Sequence, residues 1–200
     1  MAIPPKFLNV GGGSKNVWLP DYLHGFDHCL LDIDPRGEPD LLCDARELAT
    51  QKPGQFDAIY CSHNLEHYYS HEVPTVLRGF LHVLKPGGFV EIRVPDIGAL
   101  FVEVMKRQLD IDDVVYTSGR GDIRVLDMLY GYGPEIESTG QDFYAHKTGF
   151  TQKSLARALK SAGFGMRITR PGRERELLMY GFTPRPTASQ IKLLNLKLPD

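Results

Sequence analysis

The sequence predicts an open, doubly wound α/β sheet, mostly parallel and closed by a terminal strand pair. Three observations carry this. Short β-rich runs alternate with helical stretches, the runs are apolar throughout, and each stops at Gly, Asp or Pro. Such runs suit strands covered on both faces of a parallel sheet. The repeated strand–helix–strand order makes the sheet doubly wound.

"KFLNV" reads as the first strand and runs into "GGGS". "HCLLDID" is the second strand, "DLLCD" a short third, "FDAIYCS" a fourth and "GFVEIRVPD" a fifth. Between the last two, Val73, Val76, Leu77, Phe80, Leu81 and Leu84 form an apolar stripe at helical spacing. That helix is expected to start after Ser70 as N-cap and to stop at Pro86-Gly87. "IGALFVEVMKRQ" is a second helix with Asp96 as N-cap. "TQKSLARALKSAGF" is a third, with Thr151 as N-cap, Leu155 and Leu159 facing inward and Gly163 as its stop. "GMRITR" and "ELLMYGFTP" read as the terminal strand pair, joined by the turn-rich "PGRER". The organisation is therefore a single domain over residues 1–183, with a lid-like, Gly-rich insertion at 110–150 that holds one helix near 122–130. Residues 184–200 form a C-terminal tail, whose "IKLLNLKL" is apolar enough to dock on this domain or a partner.

Bulk properties narrow the function. A chain of 200 residues can bury one sizeable core, and 42% hydrophobic with 24% charged residues is ordinary for a globular protein. A net charge of −2 gives no electrostatic reason to expect nucleic acid. The apolar runs are too short to span a bilayer, and "MAIPPKFLNV" lacks the pattern of a secretory signal, so a cytoplasmic location is expected. Cys29, Cys43 and Cys61 make no CxxC pair and read as small buried hydrophobes in a reducing compartment. A homo-oligomer is left open.

The loop "NVGGGSK" follows the first strand and so faces the carboxyl ends of the strands, where open α/β sheets bind ligands. Gly11 and Gly13 fit a dinucleotide fingerprint, but Asn16 stands where a third glycine belongs, and no P-loop is present. A pyrophosphate ligand is disfavoured. Asp32 lies about 20 residues after the glycines, where an acid can accept hydrogen bonds from ribose, and Asp34 shares its face of the extended chain. The third strand ends at Asp44. Gly, Asp and Asp on three successive strand ends would form one ligand rim.

"CSHNLEHYYSHE" raises a separate question, because His63, His67 and His71 would share one face of a continuous helix. A strand ending at Cys61 or Ser62 and a helix starting after Ser70 argue against that helix. His63 then belongs to the ligand rim, His67 to the connection, where it orients the loop, and His71 to the helix's first turn. No metal is assigned.

Together, "LNVGGGSK", "LLDIDP", "LLCDAREL", "FDAIYCSHNLEH" and "VLKPGGFVEIRVPD" resemble, in order, the motifs of class I S-adenosylmethionine-dependent methyltransferases, in particular the methyltransferase domain 11 type. The resemblance covers roughly residues 6–96, and "HKTGFTQKSLARALKSAGF" extends it. It implies a Rossmann-like, seven-stranded sheet with one antiparallel strand near the C-terminal edge. It implies S-adenosyl-L-methionine as cofactor, with Gly11 and Gly13 under the methionine part. Asp32, with Asp34 as the alternative, would meet the ribose, Asp44 and Ala45 the adenine, and Ser62 and His63 the region of the methyl group. Asn9 stands where the family often carries an acid for the cofactor's amine. The helix after the glycine loop is shortened by Pro20 and Gly25, and residues 110–150 become the expected cover of the site.

Methyl transfer needs alignment and, for an oxygen or nitrogen acceptor, often a base with pKa near the working pH. His63 and His146 rank first for catalysis, ahead of His67, Glu66 and Asp96. Tyr144, Lys147, Arg120 and Arg124 are candidates to contact an anionic substrate. The expected activity is methyl transfer to an oxygen or nitrogen of a small-molecule or glycan acceptor. The alternatives are a cofactor-binding, non-catalytic partner of another methyltransferase and an NAD-dependent oxidoreductase or sugar-modifying enzyme.

Overall fold

The computed structural model describes residues 3–119, 121–172 and 175–198. Seven strands form one sheet in the order β3-β2-β1-β4-β5-β9-β8, and β6 and β7 form a separate hairpin. They are β1 (Lys6–Val10), β2 (Asp27–Asp32), β3 (Leu41–Leu42), β4 (Phe56–Ser62), β5 (Leu84–Pro95), β6 (Val114–Ser118), β7 (Gly121–Arg124), β8 (Met166–Pro171) and β9 (Glu176–Phe182). The first five pair in parallel, and β9 runs antiparallel between β5 and β8. Among the described residues the α-helices are α1 (Val73–Val83), α2 (Ile97–Arg107), α3 (Val125–Tyr130), α4 (Gly133–Thr139), α5 (Gln152–Ala162) and α6 (Ala188–Leu193). No helix among the described residues is long and apolar enough to cross a membrane.

Strand alternation sorts the sheet residues into two cores. Leu8 and Val10 of β1, with Ile59 and Cys61 of β4, face α1 and α5 and join Phe80, Leu155 and Leu159 in the larger cluster. Phe7, Ala58 and Tyr60, the residues between them, point the other way. There the cover is thin: a 3₁₀ turn at Asp21–Leu23 and the tail, whose Leu194 and Leu196 are buried against this face. A fully buried side chain of this size contributes roughly 1.5–3 kcal/mol, so both faces matter to stability.

Local signals set most boundaries. The Asp96 side chain caps α2 by accepting from the Ala99 amide. Thr151 and Ser154 form a capping box on α5, and Gly163 closes that helix in the left-handed region. Helix α1 departs from expectation at both ends. Ser70 is not its cap. The helix begins at Val73, with Glu72 as N-cap. Pro74 explains the late start, because proline is accommodated only in a helix's first turn. His71 consequently precedes the helix rather than lying in its first turn, and its ring stacks on Tyr69. At the other end, Leu84 leaves the helical stripe and pairs with Phe56 across the sheet, so β5 starts before Pro86.

The insertion also differs from expectation. Residues 121–124 are a strand, not helix, and 133–139 form a further helix. "VVYTS" is rich in β-branched and aromatic residues and pairs with "GDIR" as a hairpin, so the helix starts only at Val125. Val115, Val125 and Met128 are buried against Leu100 of α2, so the insertion has a small core of its own.

Candidate active site

The site lies at the carboxyl ends of β1, β2 and β4. Gly11 adopts φ +68° and sits where a Cβ would lie 2.0 Å from Asn64 Nδ2, so only glycine lets the loop pass. The Asp32 carboxylate, nearly buried, accepts hydrogen bonds from the amides of Gly13 (2.8 Å) and Asp34 (2.9 Å) and ties the glycine loop to the end of β2. Gly37 closes the same corner, since a Cβ there would stand 1.8 Å from the Gly13 carbonyl oxygen. Asp34 is paired with Arg36, whose hydrogen bonds to its carboxylate hold that group down to about 2. Asp44 caps the 3₁₀ turn Ala45–Thr50 through the Arg46 amide.

Gly11, Gly13, Asp32, Asp34, Asp44 and His63 border one cleft of about 380 Å³. Asn9 and Ser62 border an adjoining cleft of about 380 Å³ that shares the glycines and His63. Ala45 is fully buried within the larger core and presents no side chain to either cleft. Asn9 is likewise almost wholly buried, its amide 3.3 Å from His28 Nε2. A third pocket of about 400 Å³ lies between the insertion and the ends of β5 and β9. His63, His146, Tyr116, Met128, Tyr132 and Arg175 line it. His63 therefore borders all three spaces.

His63 is held in the left-handed region at φ +49°, a conformation uncommon for a non-glycine residue and frequent at functional sites. Its Nε2 is 2.9 Å from Glu176, and its Nδ1 is 3.4 Å from Glu66. Burial opposes charge on the ring, but the two carboxylates more than offset it and push the imidazole up to about 10. Glu176 continues the network to Arg93, Arg93 to Glu91, and Glu91 accepts from Tyr22. Burial lowers the pKa of His146, keeping that ring neutral.

The insertion is stitched to the rim by its returning arm. Lys147 and Thr148 donate their amides to the Glu66 carbonyl. Tyr144 donates to Asp34 and accepts from Arg36. The Lys147 ammonium lies 5.6 Å from the Tyr69 ring centre. Of the other expected substrate contacts, Arg124 caps α3 through Asp127, and Arg120 lies outside the described residues. Asp96 serves as a helix cap. The sequence reading missed Asn64 against the glycine loop, Glu176 as the partner of His63, and the aromatic wall of Tyr116 and Tyr132. Only Asn64 lies close enough in sequence to the expected rim to have been flagged there.

The acidic rim suits a cofactor with ribose hydroxyls and a positive sulfonium, and Ile33, 47% exposed between Asp32 and Asp34, offers an apolar face for a base. Comparison with solved structures gives the same architecture. The 1,6-didemethyltoxoflavin-N1-methyltransferase of Burkholderia thailandensis aligns over 91% of this chain and 72% of its own at 17% identity, with a TM-score of 0.52. An S-adenosylmethionine-dependent methyltransferase of Archaeoglobus fulgidus aligns over 90% and 86% at 13% identity, TM-score 0.54. A Pyrococcus horikoshii protein aligns over 92% and 83% at 15% identity, TM-score 0.57. At such identities the likeness is one of fold. No curated protein matches the chain. The methyltransferase-domain family, however, matches residues 3–167, most of the molecule. The chain belongs to that family and is an S-adenosylmethionine-dependent methyltransferase.

Proposed function

We propose that the enzyme methylates an oxygen or nitrogen of a small-molecule acceptor held in the pocket of Tyr116, Met128, Tyr132 and His146. The observation that carries this is the shared position of His63, which borders both donor clefts and this pocket. The aromatic and apolar wall suits a small planar acceptor better than a fully polar glycan. The Burkholderia enzyme of the same fold is named as an N1-methyltransferase of 1,6-didemethyltoxoflavin, which agrees with that choice.

S-adenosylmethionine supplies an activated methyl group, so the protein's task is largely alignment. Gly11 and Gly13 would pass beneath the methionine part, with Asn9 and Ser62 beside it. Asp32 and Asp34 would accept from the ribose hydroxyls, while Asp44 and the backbone of Ala45 would meet the adenine. His63, between two carboxylates, is a charged donor rather than a base. Both its N–H groups face carboxylates, so its role at the acceptor is that of a fixed positive charge bordering the pocket. His146 donates Nδ1–H to the Met128 carbonyl at 3.0 Å, because a carbonyl can only accept. Its Nε2 therefore keeps a lone pair that can take the acceptor's proton.

Calorimetry with S-adenosylmethionine, S-adenosylhomocysteine and NAD tests the donor half. S-adenosylhomocysteine should bind and NAD should not, and failure of both S-adenosyl ligands at millimolar concentration would sink the reading. Release of S-adenosylhomocysteine with a panel of planar hydroxyl and amine acceptors tests the rest. Binding without turnover for any acceptor would favour a non-catalytic partner.

A further inference from the structure

Glu66 is a charged group in an unusual position. Its side chain is 1% exposed, and neither carboxylate oxygen has a hydrogen-bond partner. An ionised carboxylate sealed from water without hydrogen bonds is costly unless a cation sits beside it. The His63 ring, 3.4 Å away, is one such cation, but it makes no hydrogen bond to the carboxylate, whose oxygens stay without a donor. Two further imidazoles surround it: one ligand atom each from Glu66, His67 and His146 lies within 4.8 Å of the others.

Each histidine gives its Nδ1 to a backbone carbonyl. His67 Nδ1 lies 3.1 Å from the Ala145 carbonyl oxygen, and His146 Nδ1 lies 3.0 Å from that of Met128. Both Nδ1 atoms must donate, which leaves each Nε2 with a lone pair. Metal-bound histidines characteristically give their second nitrogen to a carbonyl in this way, which fixes tautomer and ring direction. The two rings meet edge to face, with centroids 5.1 Å apart. The arm carrying His146 is pinned to Glu66 by the Lys147 and Thr148 amides, so the three residues are held together although His146 comes from the insertion.

We propose that Glu66, His67 and His146 form a binding site for a divalent first-row transition metal. Two imidazoles and one carboxylate suit Mn²⁺, Fe²⁺, Co²⁺ or Zn²⁺ rather than Mg²⁺ or Ca²⁺. Ligand atoms about 2.1 Å from a tetrahedral metal stand about 3.4 Å apart, so a small closure of the side chains completes the site. Three protein ligands leave a coordination position open, the arrangement of catalytic rather than structural metals. His67 borders the donor clefts and His146 the third pocket, so the metal would sit between them. Insofar as that pocket holds the acceptor, which rests on the function proposed above, the open position would take the acceptor's oxygen or nitrogen and make its proton easier to lose. His146 would then be a ligand, and the metal would replace it as the means of deprotonation.

The test uses the tag-free, full-length chain and Co²⁺ alone, with no S-adenosyl ligand present. One Co²⁺ should bind per chain, with visible d–d absorption and two strongly shifted imidazole N–H resonances, one from each Nδ1 proton. Affinity should fall at least about 100-fold in His67→Ala and in His146→Ala, and should be unchanged in His71→Ala. Absence of stoichiometric binding, or a wild-type spectrum without two shifted imidazole protons, would overturn the proposal. So would full affinity in a folded His67→Ala chain. The wild-type resonances decide the matter even where a variant does not fold, and the result is independent of whether S-adenosylhomocysteine binds.

Discussion

The donor rim and the acceptor side of the cleft are built in different ways. On the rim, each acid holds an amide two residues on: Asp32 that of Asp34, Asp34 that of Arg36, and Asp44 that of Arg46, with longer ties from Asp32 to Gly13 and from Asp34 to Tyr144 added to them. On the acceptor side, partners lie far apart in the chain. His63 meets Glu176, His67 meets Ala145, and Glu103 meets Arg175. The rim rests largely on short-range bonds, whereas the pocket of Tyr116, Met128, Tyr132 and His146 rests on ties between distant parts of the chain.

Breaking the rim at its most connected point should have the largest effect. Asp32→Ala removes two charge-assisted bonds, each worth about 1.5–3 kcal/mol, and should weaken S-adenosylhomocysteine by about 100-fold in calorimetry. A loss under threefold would mean that the loop is held by Gly37 and Asn64 instead. Met128→Ala attacks the other side. It should reduce the local stability of the insertion by about 2 kcal/mol or more, seen as faster amide exchange over 114–130, while S-adenosylhomocysteine affinity stays within twofold. An equal loss of both would erase the distinction between the two regions.

A smaller effect is expected at Glu103. Hydrogen bonds from Arg175, then Arg107, hold this carboxylate down to about 2 and tie α2 to the start of β9. A carboxylate depressed in the folded state stabilises above its unfolded pKa near 4.3 and loses that contribution as pH falls toward 2. Glu103→Gln should therefore lower unfolding free energy by about 0.5–1 kcal/mol at pH 7, since the pair is partly exposed, and by almost nothing at pH 2. A gap that persists at pH 2 would show that packing, not charge, is at work. Tyr144→Phe, which cuts a hydrogen-bonded tie between insertion and rim, should have the least effect, about twofold on S-adenosylhomocysteine affinity.

The same contrast explains what could be read in the chain beforehand. Caps at Asp96 and Thr151, the glycine loop and the acids at strand ends are local patterns, and the sheet order follows from them. Ser70 failed as a cap because Pro74, four residues on, fixes the first turn elsewhere. Glu66 and His146 are some 80 residues apart in sequence, and nothing local in either says that the carboxylate is sealed from water beside the ring. Nor does the sequence around His63 reveal that Glu176 will hold its second nitrogen.

The thin cover over one sheet face bears on how the molecule is assembled. Phe7 of β1 shares its cluster with Leu194 and Leu196, and α6 is fastened by Gln190 to the Gly87 carbonyl and by Arg170 to that of Leu194. Part of the cover over β1 thus comes from nearby Leu23 and Phe26, and part from almost the last described residues. Contacts of such long separation form late and slowly. That face of the sheet is therefore completed only when the two ends of the described chain meet.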